Sequence, residues 1–370
     1  MRAARELHLP GRHSRIAPVG YTNISNTRET AVGSPPNLDV YACPKCAGAL
    51  SYVPAEDAGA EARGVLSCKQ AHSYPVNVIP RFVQDEGYTS NFGKQWAEFR
   101  QTQVDSATGN TESRDRFFNG TGWPANMAGE TILEAGCGSG RFTEIMLGTG
   151  ARVMSFDYSV ASDVTHDSFA SKGANVSQAS IYEMPYRKGS FDRVFCYGVI
   201  QHTPDVKKSF FNLVEMVKPG GEIAVDVYDA WKWIFHSRYR VRWFTKRMNQ
   251  EKLLEWCRKI VPAYMKVMPP LHPYNQIFVP IKDYRGARPG FTEEQLVEYS
   301  ILDTFDMLAP EYDQPKSRGT MRRWCIEAGL TDVHIQVGGN GLELRARKPA
   351  TAEAVVVPSK RDPEVAETVA

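Results

Sequence analysis

Three glycines at alternate positions could bring bare backbone close to a ligand. They are Gly136, Gly138 and Gly140. They follow a short apolar stretch, residues 131–135, and precede residues 141–147, which have the pattern of a helix. A strand, a glycine turn and a helix start expose backbone N–H groups and a positive helix end to a ligand. A dinucleotide-binding turn has the same form, but that fingerprint wants a third glycine where this chain has Arg141.

Three cysteines and a histidine form the pattern C-x2-C-x21-C-x3-H. They are Cys43, Cys46, Cys68 and His72. Thiols and an imidazole at this spacing suit one tetrahedral Zn²⁺, and four protein ligands leave no open position for catalysis. Residues 50–53 and 64–67 are predicted as the strands of a small ribbon. We therefore expect a structural Zn²⁺, with a metal-free ribbon held by packing alone as the alternative.

Further strand ends carry groups suited to a nucleotide. Residues 153–157 are predicted as a strand that ends in Asp157, about 20 residues beyond the glycine turn, where a carboxylate can accept from both ribose hydroxyls. Residues 190–197 are predicted as a fourth strand, and residues 217–225 as a helix end, a tight turn and a fifth strand. Ligands of open parallel sheets lie outside the carboxyl ends of the strands. These elements therefore predict a sheet that gathers the candidate groups at one edge.

The ordered set of motifs resembles the class I S-adenosylmethionine-dependent methyltransferases over roughly residues 130–348. The resemblance implies an α/β fold: a doubly wound, seven-stranded, mostly parallel Rossmann-like sheet whose last-inserted strand is antiparallel, with a helical insertion. It also implies S-adenosyl-L-methionine as the cofactor. Residues 72–80 resemble the tail of small zinc ribbons fused to bacterial methyltransferases. The alternative is a generic doubly wound domain in which the turns are only structural.

The resemblance assigns expected roles around the cofactor. Glu134 is expected near the methionine ammonium group. Arg141 is expected near the methionine carboxylate, with a salt bridge on the helix surface as the alternative. Asp157 should hold the ribose, while Tyr158 should pack on the adenine. Further cofactor contacts are expected at Gly136, Cys137, Gly138, Gly140 and Gly198.

The adenine edge departs from the family pattern. The family usually has an aspartate four residues before a Leu-Pro pair, but here the pair is Met184-Pro185 and that position is Ser180. A hydroxyl can accept the same hydrogen bond, though neutrally and more weakly. Ile181 can donate its backbone N–H to the ring. We therefore expect adenine contact, with selectivity at this edge left open.

His202 follows the fourth strand, where the resemblance places the methyl group. Histidine exchanges protons near neutral pH, so this side chain is the candidate catalytic base. The alternative is that His202 only orders its loop or helps to cradle the methionine end of the cofactor.

Residues 85–129 are predicted as an N-terminal helical lid. Phe92, Trp96 and Phe99 recur at helical spacing, and the stretch resembles a lid helix of the same methyltransferases. The predicted cofactor contacts are Tyr88, Phe92 and Trp96, because an aromatic face could attract the sulfonium. The alternative is a helix that packs its aromatic stripe on the core.

A long insertion, residues 229–316, is predicted to bind the acceptor. Residues 232–247 contain six Lys/Arg side chains, five aromatics and no acid. Three interpretations stay open: a solvated helical hairpin, a lid that faces an anionic acceptor, and contact with an anionic membrane surface. Residues 303–315 resemble a signature of bacterial small-molecule methyltransferases, and we expect this loop to border the acceptor site. Its candidate contacts or bases are Asp303, Asp306 and Tyr312, although loop capping explains the aspartates equally well.

Composition bounds these expectations. The chain has 370 residues, enough for one large domain with appendages, and a net charge of +2, which gives no overall attraction to polyanions. Its seven cysteines, an odd number, fit reduced thiols better than a disulfide framework. The sequence shows no apolar run of about 18 residues and no signal-peptide core. We therefore expect a cytoplasmic protein without a transmembrane segment.

Seven regions are predicted along the chain. They are a disordered tail (1–39), a zinc ribbon (40–84), the helical lid (85–129), the cofactor-binding core (130–228), the acceptor-binding insertion (229–316), the end of the core (317–349) and a second disordered tail (350–370). The pattern predicts no oligomeric state.

The predicted function is an S-adenosylmethionine-dependent methyltransferase. Its expected acceptor is a small molecule methylated on O, N or C in sugar, cell-envelope or secondary metabolism, and an anionic acceptor is one of the open interpretations of the basic run. One alternative is an rRNA guanine N-methyltransferase that recognises its substrate through the zinc finger, although the near-zero net charge speaks against a nucleic acid partner without excluding it. The other alternative is a non-catalytic scaffold that binds the cofactor.

Overall fold

The computed structural model describes residues 38–55, 63–84, 99, 102–233, 236–270, 275–288 and 290–351. The predicted lid contacts Tyr88, Phe92 and Trp96 lie outside these residues, as do most of the two predicted tails. Within the described part of the chain, the strands form two sheets.

The smaller sheet is a four-stranded antiparallel ribbon. Its strands are β1 (Leu50–Pro54), β2 (Arg63–Cys68), β3 (Ser73–Asn77) and β4 (Ile79–Pro80). They pair in sequence order. We call the described residues between 38 and 84 the N-terminal ribbon.

The larger sheet has seven strands. They are β5 (Thr131–Ala135), β6 (Arg152–Asp157), β7 (Asn175–Gln178), β8 (Phe191–Cys196), β9 (Val217–Val227), β10 (Thr331–Val337) and β11 (Leu342–Arg347). The order is β10-β11-β9-β8-β5-β6-β7. Strand β11 runs antiparallel to both β9 and β10, and the other neighbouring pairs are parallel. This arrangement confirms the predicted fold class and the antiparallel last-inserted strand.

Helices accompany the strands along the chain. Those described are α1 (Asp105–Thr108), α2 (Glu112–Thr121), α3 (Arg141–Leu147), α4 (Ala161–Phe169), α5 (Val206–Met216), α6 (Ala230–Trp233), α7 (Arg238–Thr245), α8 (Gln250–Val267), α9 (Asn275–Phe278), α10 (Glu293–Leu308) and α11 (Arg318–Glu327). Helices α3, α4, α5 and α11 contact strands of the larger sheet. Four successive residues of β5 are buried, as expected for a parallel strand covered on both faces.

The N-terminal ribbon docks on the outer strand of the larger sheet. Arg81 bridges in parallel to Gln178 at the end of β7, and the backbone N–H of Phe82 donates to the Gln178 carbonyl at 2.8 Å. Buried Tyr41 packs on Tyr186, with ring centroids 5.1 Å apart. The ribbon therefore shares a core with the larger sheet and covers an edge strand that would otherwise expose unpaired backbone groups.

The insertion has a small core of its own. Leu253 and Cys257 of α8 pack on Phe305 and Leu308 of α10. Thr292 opens α10 with a capping box. None of the helices in the described part of the chain has the length and apolar character needed to cross a membrane.

Helix α10 corrects one expectation. Asp303 and Asp306 were expected in a loop, but both lie in the last turns of this helix, which continues to Leu308. Pro310, which has no N–H to donate, comes only after the helix has ended. The two carboxylates are therefore presented from a helix.

Candidate functional site

The glycine turn between β5 and α3 has the conformation that its sequence suggests. Gly136, Gly138 and Gly140 have φ values of 77°, 54° and 89°, in the region that side chains disfavour. A Cβ at Gly136 would collide with the side chain of Val199, and one at Gly140 with Phe169. Gly136 and Gly138 line a cavity together with Cys137, whereas Gly140 serves close packing beside it.

Asp157 lies at the end of β6 and lines the same cavity. One carboxylate oxygen accepts from the Ser159 N–H at 2.9 Å and hydroxyl at 2.8 Å, and the other accepts from the Gly138 N–H at 3.0 Å. Burial raises the pKa of this carboxyl group, and these donors oppose the rise. The side chain is therefore fixed toward the glycine turn before any ligand binds.

The predicted adenine contacts separate into two groups. Tyr158 and Ile181 line the cavity. Ser180 is not among the lining residues, and its hydroxyl accepts from the backbone N–H of Tyr182 at 3.1 Å. Gln178 donates to the Tyr158 carbonyl at 3.0 Å and accepts from Arg81 of the ribbon at 2.9 Å. The ribbon thus contacts the segment that carries Tyr158.

Glu134 is buried beneath the site rather than exposed in it. It is 2% exposed and is not among the lining residues. Its carboxylate accepts from the hydroxyls of Thr143 at 2.5 Å and Ser155 at 2.7 Å. Burial raises its pKa to about 7, against these two donors. Its direct contact with a methionine ammonium group stays a prediction that this geometry does not support.

Arg141 makes the ion pair that was the alternative expectation, and its contact with a methionine carboxylate stays a prediction. It lines the cavity, and its guanidinium donates to Ser113 at 2.9 Å and Gln103 at 3.1 Å and lies 3.5 Å from Glu112. Glu112 also pairs with Arg288 of the insertion. The segment before β5 therefore ties the glycine turn to the insertion across the cavity.

His202 and Gly198 follow β8 and also line the cavity. The His202 Nδ1 lies 2.9 Å from the Tyr312 carbonyl oxygen. Because a carbonyl can only accept, Nδ1 carries the proton, and the neutral ring then has its lone pair on Nε2. Gly198 donates its N–H to Asp226 at 2.5 Å. Tyr312 thus contributes through its backbone, whereas Asp303 and Asp306 line the cavity directly.

The part of the cavity lined by the insertion and by the residue after β9 is aromatic and charged. Tyr228, Tyr284 and Tyr299 line it together with Arg238 and Arg288. The Arg288 guanidinium lies 4.3 Å from the Tyr284 ring centroid and 3.8 Å from that of Tyr299. The Tyr284 hydroxyl donates to Asp303. We call this region the acceptor end, and the region around the glycine turn and Asp157 the cofactor end.

Several residues at this end were not predicted as site residues. They are Arg116, Tyr197, Tyr228, Lys282, Tyr284, Arg288 and Tyr299. Tyr228 directly follows β9, so the rule on strand ends that identified Asp157 would have found it. The residues from the insertion had no such signal, because their positions depend on how that segment folds back.

The basic run of the insertion divides between several roles. Arg238 lines the cavity. Arg242 is buried and donates to the carbonyls of Met307 at 3.0 Å and Pro310 at 2.7 Å. Arg240, Lys246 and Arg247 are exposed, and the side chain of Lys232 is outside the described ones. The run is therefore not one cationic face toward the cavity.

The four predicted metal ligands come together in the N-terminal ribbon. The ligand atoms of Cys43, Cys46, Cys68 and His72 all lie within 4.8 Å of one another. The His72 Nδ1 is 3.4 Å from the sulfurs of Cys43 and Cys68, and the Cys46 and Cys68 sulfurs are 3.6 Å apart. A zinc tetrahedron with bonds of about 2.0–2.3 Å has edges of roughly 3.3–3.8 Å. The donor set and these three separations therefore suit a Zn²⁺ site.

A tyrosine supports the cluster from outside. The Tyr74 hydroxyl lies 3.1 Å from the Cys43 sulfur. Burial opposes ionisation of this thiol, but hydrogen bonds from Tyr74 and from the backbone of Cys46 and Lys45 outweigh it and lower its pKa to about 6. Thiolate is the form that binds metal.

The chain is similar to several known proteins. A family model for a methyltransferase domain matches residues 133–225. The ubiquinone biosynthesis O-methyltransferase of Thiobacillus denitrificans is 32% identical over 184 residues, which are 46% of this chain and 68% of that relative. The tRNA U34 carboxymethyltransferase of Campylobacter curvus is 29% identical over 105 residues, 27% of this chain and 35% of that relative. A solved S-adenosylmethionine-dependent methyltransferase from Mesorhizobium loti is 16% identical with a TM-score of 0.37, covering 61% of this chain and 93% of that one.

Proposed function

This chain belongs to the S-adenosylmethionine-dependent methyltransferases, and from that membership we propose that it transfers a methyl group from S-adenosyl-L-methionine to a small-molecule acceptor. The observation that carries this proposal is one cavity with two unlike ends. Asp157 and the glycine turn line the cofactor end, Tyr228 and Arg238 line the acceptor end, and His202 lines the same cavity.

The cofactor end offers a complementary group for each part of the cofactor. Asp157 accepts from the ribose hydroxyls, and the open backbone of Gly136 and Gly138 allows close approach. Tyr158 and Ile181 contact the adenine. Arg141 binds the methionine carboxylate, for which it exchanges the ion pair that it makes with Glu112 at 3.5 Å.

The chain's own chemical task is to hold the acceptor and to remove its proton. The cofactor, when bound, supplies the electrophilic methyl group. His202 accepts the proton of an acceptor hydroxyl on Nε2, because Nδ1 is held in the protonated form by the Tyr312 carbonyl at 2.9 Å. An acceptor without such a proton would need only positioning. The proposal therefore gives O-methylation as the reaction in which His202 is a base.

The form of the acceptor end favours a small molecule over RNA. Its walls come from several separate segments, among them α2 with Arg116, α7 with Arg238 and α10 with Asp303. Carboxylates at Asp303 and Asp306 would repel a phosphate backbone. An rRNA guanine methyltransferase and a scaffold that binds cofactor without turnover are the outcomes against which the proposal is tested.

We also propose that the N-terminal ribbon binds one structural Zn²⁺ through Cys43, Cys46, Cys68 and His72. The distances among the four ligand atoms support this ligand set. All seven cysteines are free thiols. Reduced thiols of this kind suit a cytoplasmic location, which we propose for the protein.

The decisive experiment is calorimetry of the full-length protein with S-adenosylhomocysteine. We expect saturable binding, and folded wild-type protein that does not bind would overturn the proposed function. Labelled methyl transfer to stripped rRNA transcripts should be negligible. Robust labelling of rRNA would establish the RNA alternative, and binding without transfer across a broad small-molecule panel would favour the scaffold.

A further inference from the structure

Arg238 is a buried arginine at the acceptor end of the cavity. The residue is 8% exposed and lines the cavity. Its guanidinium lies 4.8 Å from the Tyr228 ring centroid and 4.7 Å from that of Tyr239. Aromatic contacts of this kind hold a guanidinium in place while leaving its donor edge available for hydrogen bonds.

The hydrogen bonds of Arg238 leave its charge without a direct carboxylate partner. Nη2 donates to the neutral Tyr239 hydroxyl at 2.7 Å, and Nε has no acceptor within the described part of the chain. The Tyr239 hydroxyl in turn donates a hydrogen bond to the Asp313 carboxylate at 3.2 Å. Asp313 itself lies 3.7 Å from Arg242. A buried cation with only a neutral direct partner is costly, so a further anion would stabilise it.

The other guanidinium groups that line the cavity differ from Arg238 in this respect. Arg116 pairs with Asp226 at 2.5 Å, and Arg141 and Arg288 both pair with Glu112. Among the residues that the structure describes, Arg238 makes no comparable ion pair. Among these guanidinium groups, its charge is therefore the one most suited to an incoming anion.

The position of Arg238 relates it to the proposed base. The ring of Tyr228 contacts Arg238 and also meets the His202 ring edge-on, with centroids 5.4 Å apart. Arg238 and His202 are thus both neighbours of one tyrosine. A ligand group held at Arg238 places the rest of a small molecule within reach of His202.

We infer that Arg238 binds an anionic group of the acceptor, a carboxylate or a phosphate ester, and thereby selects which molecules are methylated. This inference rests on the proposed function. Asp303 and Asp306 also line the cavity and disfavour an anionic group beside their carboxylates, so Arg238, whose charge has no direct carboxylate partner, is the group that attracts one. The acceptor class is a small aromatic or aliphatic molecule with one anionic group and a separate methyl-accepting atom.

The test uses full-length protein saturated with S-adenosylhomocysteine and three small probes: benzoate, phenyl phosphate and neutral benzamide. We expect at least one anionic probe to bind about tenfold or more tightly than benzamide, which corresponds to about 1.4 kcal/mol. Arg238→Gln should abolish this preference, and Arg238→Lys should retain part of it. If Arg238→Gln weakens benzoate binding more, the site is one for carboxylates. If it weakens phenyl phosphate binding more, the site is one for phosphate esters.

Arg240→Gln is the matched control, because Arg240 lies on the same helix and is exposed. It should keep the preference for the anionic probe. Each variant must also bind S-adenosylhomocysteine like the wild type, which shows that it is folded. Equal binding of anionic and neutral probes to the wild type, or an unchanged preference in Arg238→Gln, would overturn the inference. A folded wild-type protein that does not bind S-adenosylhomocysteine would instead refute the proposed function.

Discussion

At the cofactor end, Asp157 and the glycine turn are held together by contacts that are local in sequence, whereas the acceptor end is built between distant segments. Asp157 accepts from donors that are 2 and 19 residues away. His202, by contrast, is held by a carbonyl 110 residues away, and Tyr239 by a carboxylate 74 residues away. The cofactor end is therefore fixed by one strand-turn-helix unit and its neighbour, while the acceptor end depends on how the insertion folds back.

The largest expected effect tests the cofactor end. Asp157→Ala removes the proposed ribose acceptor and the anchor of the Gly138 N–H. Two lost charge-assisted hydrogen bonds correspond to about 4 kcal/mol, so S-adenosylhomocysteine affinity should fall about 1000-fold. Calorimetry measures the loss. Asp167→Ala, an exposed carboxylate on α4, should bind like the wild type. Affinity within threefold of wild type in Asp157→Ala would contradict the proposed role.

The same contrast explains what the sequence could predict. The bounds of β5 and α3 and the position of Asp157 follow from apolar patterns and turn glycines, which act over a few residues. Glu134 was expected at the ligand because of its place at a strand end. The hydroxyls of Thr143 and Ser155 hold it in the interior instead, and no local pattern reveals that choice.

Prediction was weaker in the insertion for the same reason. The six basic residues between positions 232 and 247 look alike in sequence, yet Arg242 holds carbonyls 65 and 68 residues away, while Arg238 lines the cavity. Only the packing of α7 on α10 separates these roles. The residues between 85 and 98 lie outside the described part of the chain, so the lid contacts stay predictions.

The second effect concerns the ribbon, which meets the cofactor end through Arg81 and Gln178. Cys43→Ser combined with Cys68→Ser should abolish the roughly one zinc per chain that elemental analysis is expected to find. The loss should cost about 3 kcal/mol of stability, because a bound metal stabilises only the folded ribbon.

Metal loss should affect ligand binding at the two ends of the cavity to different extents. Since Arg81 bonds to Gln178, and Gln178 to the Tyr158 carbonyl, metal loss should weaken S-adenosylhomocysteine binding a few-fold. Anionic probe binding at Arg238 should change less. Cys257→Ser, a buried thiol of the insertion, is the control that should keep the zinc. A metal-free wild-type protein of unchanged stability would refute the zinc proposal.

The third effect tests the acceptor end. His202→Gln should lower kcat about 100-fold, the size of a lost general base, and leave S-adenosylhomocysteine affinity within threefold. The measurement uses labelled cofactor and a hydroxyl acceptor found by screening. In the wild type, kcat/KM should rise with pH as one group deprotonates, and this rise should disappear in the variant. A parallel loss of kcat with an unchanged pH profile would leave His202 only a loop-ordering role.

The smallest expected effect is a change in the pH dependence of stability, and it concerns Glu134, which is buried beneath the cofactor end. Burial raises its pKa from the ordinary 4.5 to about 7, so the folded protein holds this proton more tightly than the unfolded chain does. The resulting stability is complete below pH 4.5 and is lost as pH rises through about 7. Linkage gives a decline of about 2 kcal/mol in the free energy of unfolding between pH 5 and 7. Glu134→Gln mimics the protonated form and should remove that part of the decline, whereas Glu255→Gln, on the exposed surface of α8, should not. Urea unfolding at several pH values compares the three proteins. Identical pH dependence in wild type and Glu134→Gln would mean that Glu134 is ionised in the folded state and that its surroundings supply a compensating charge.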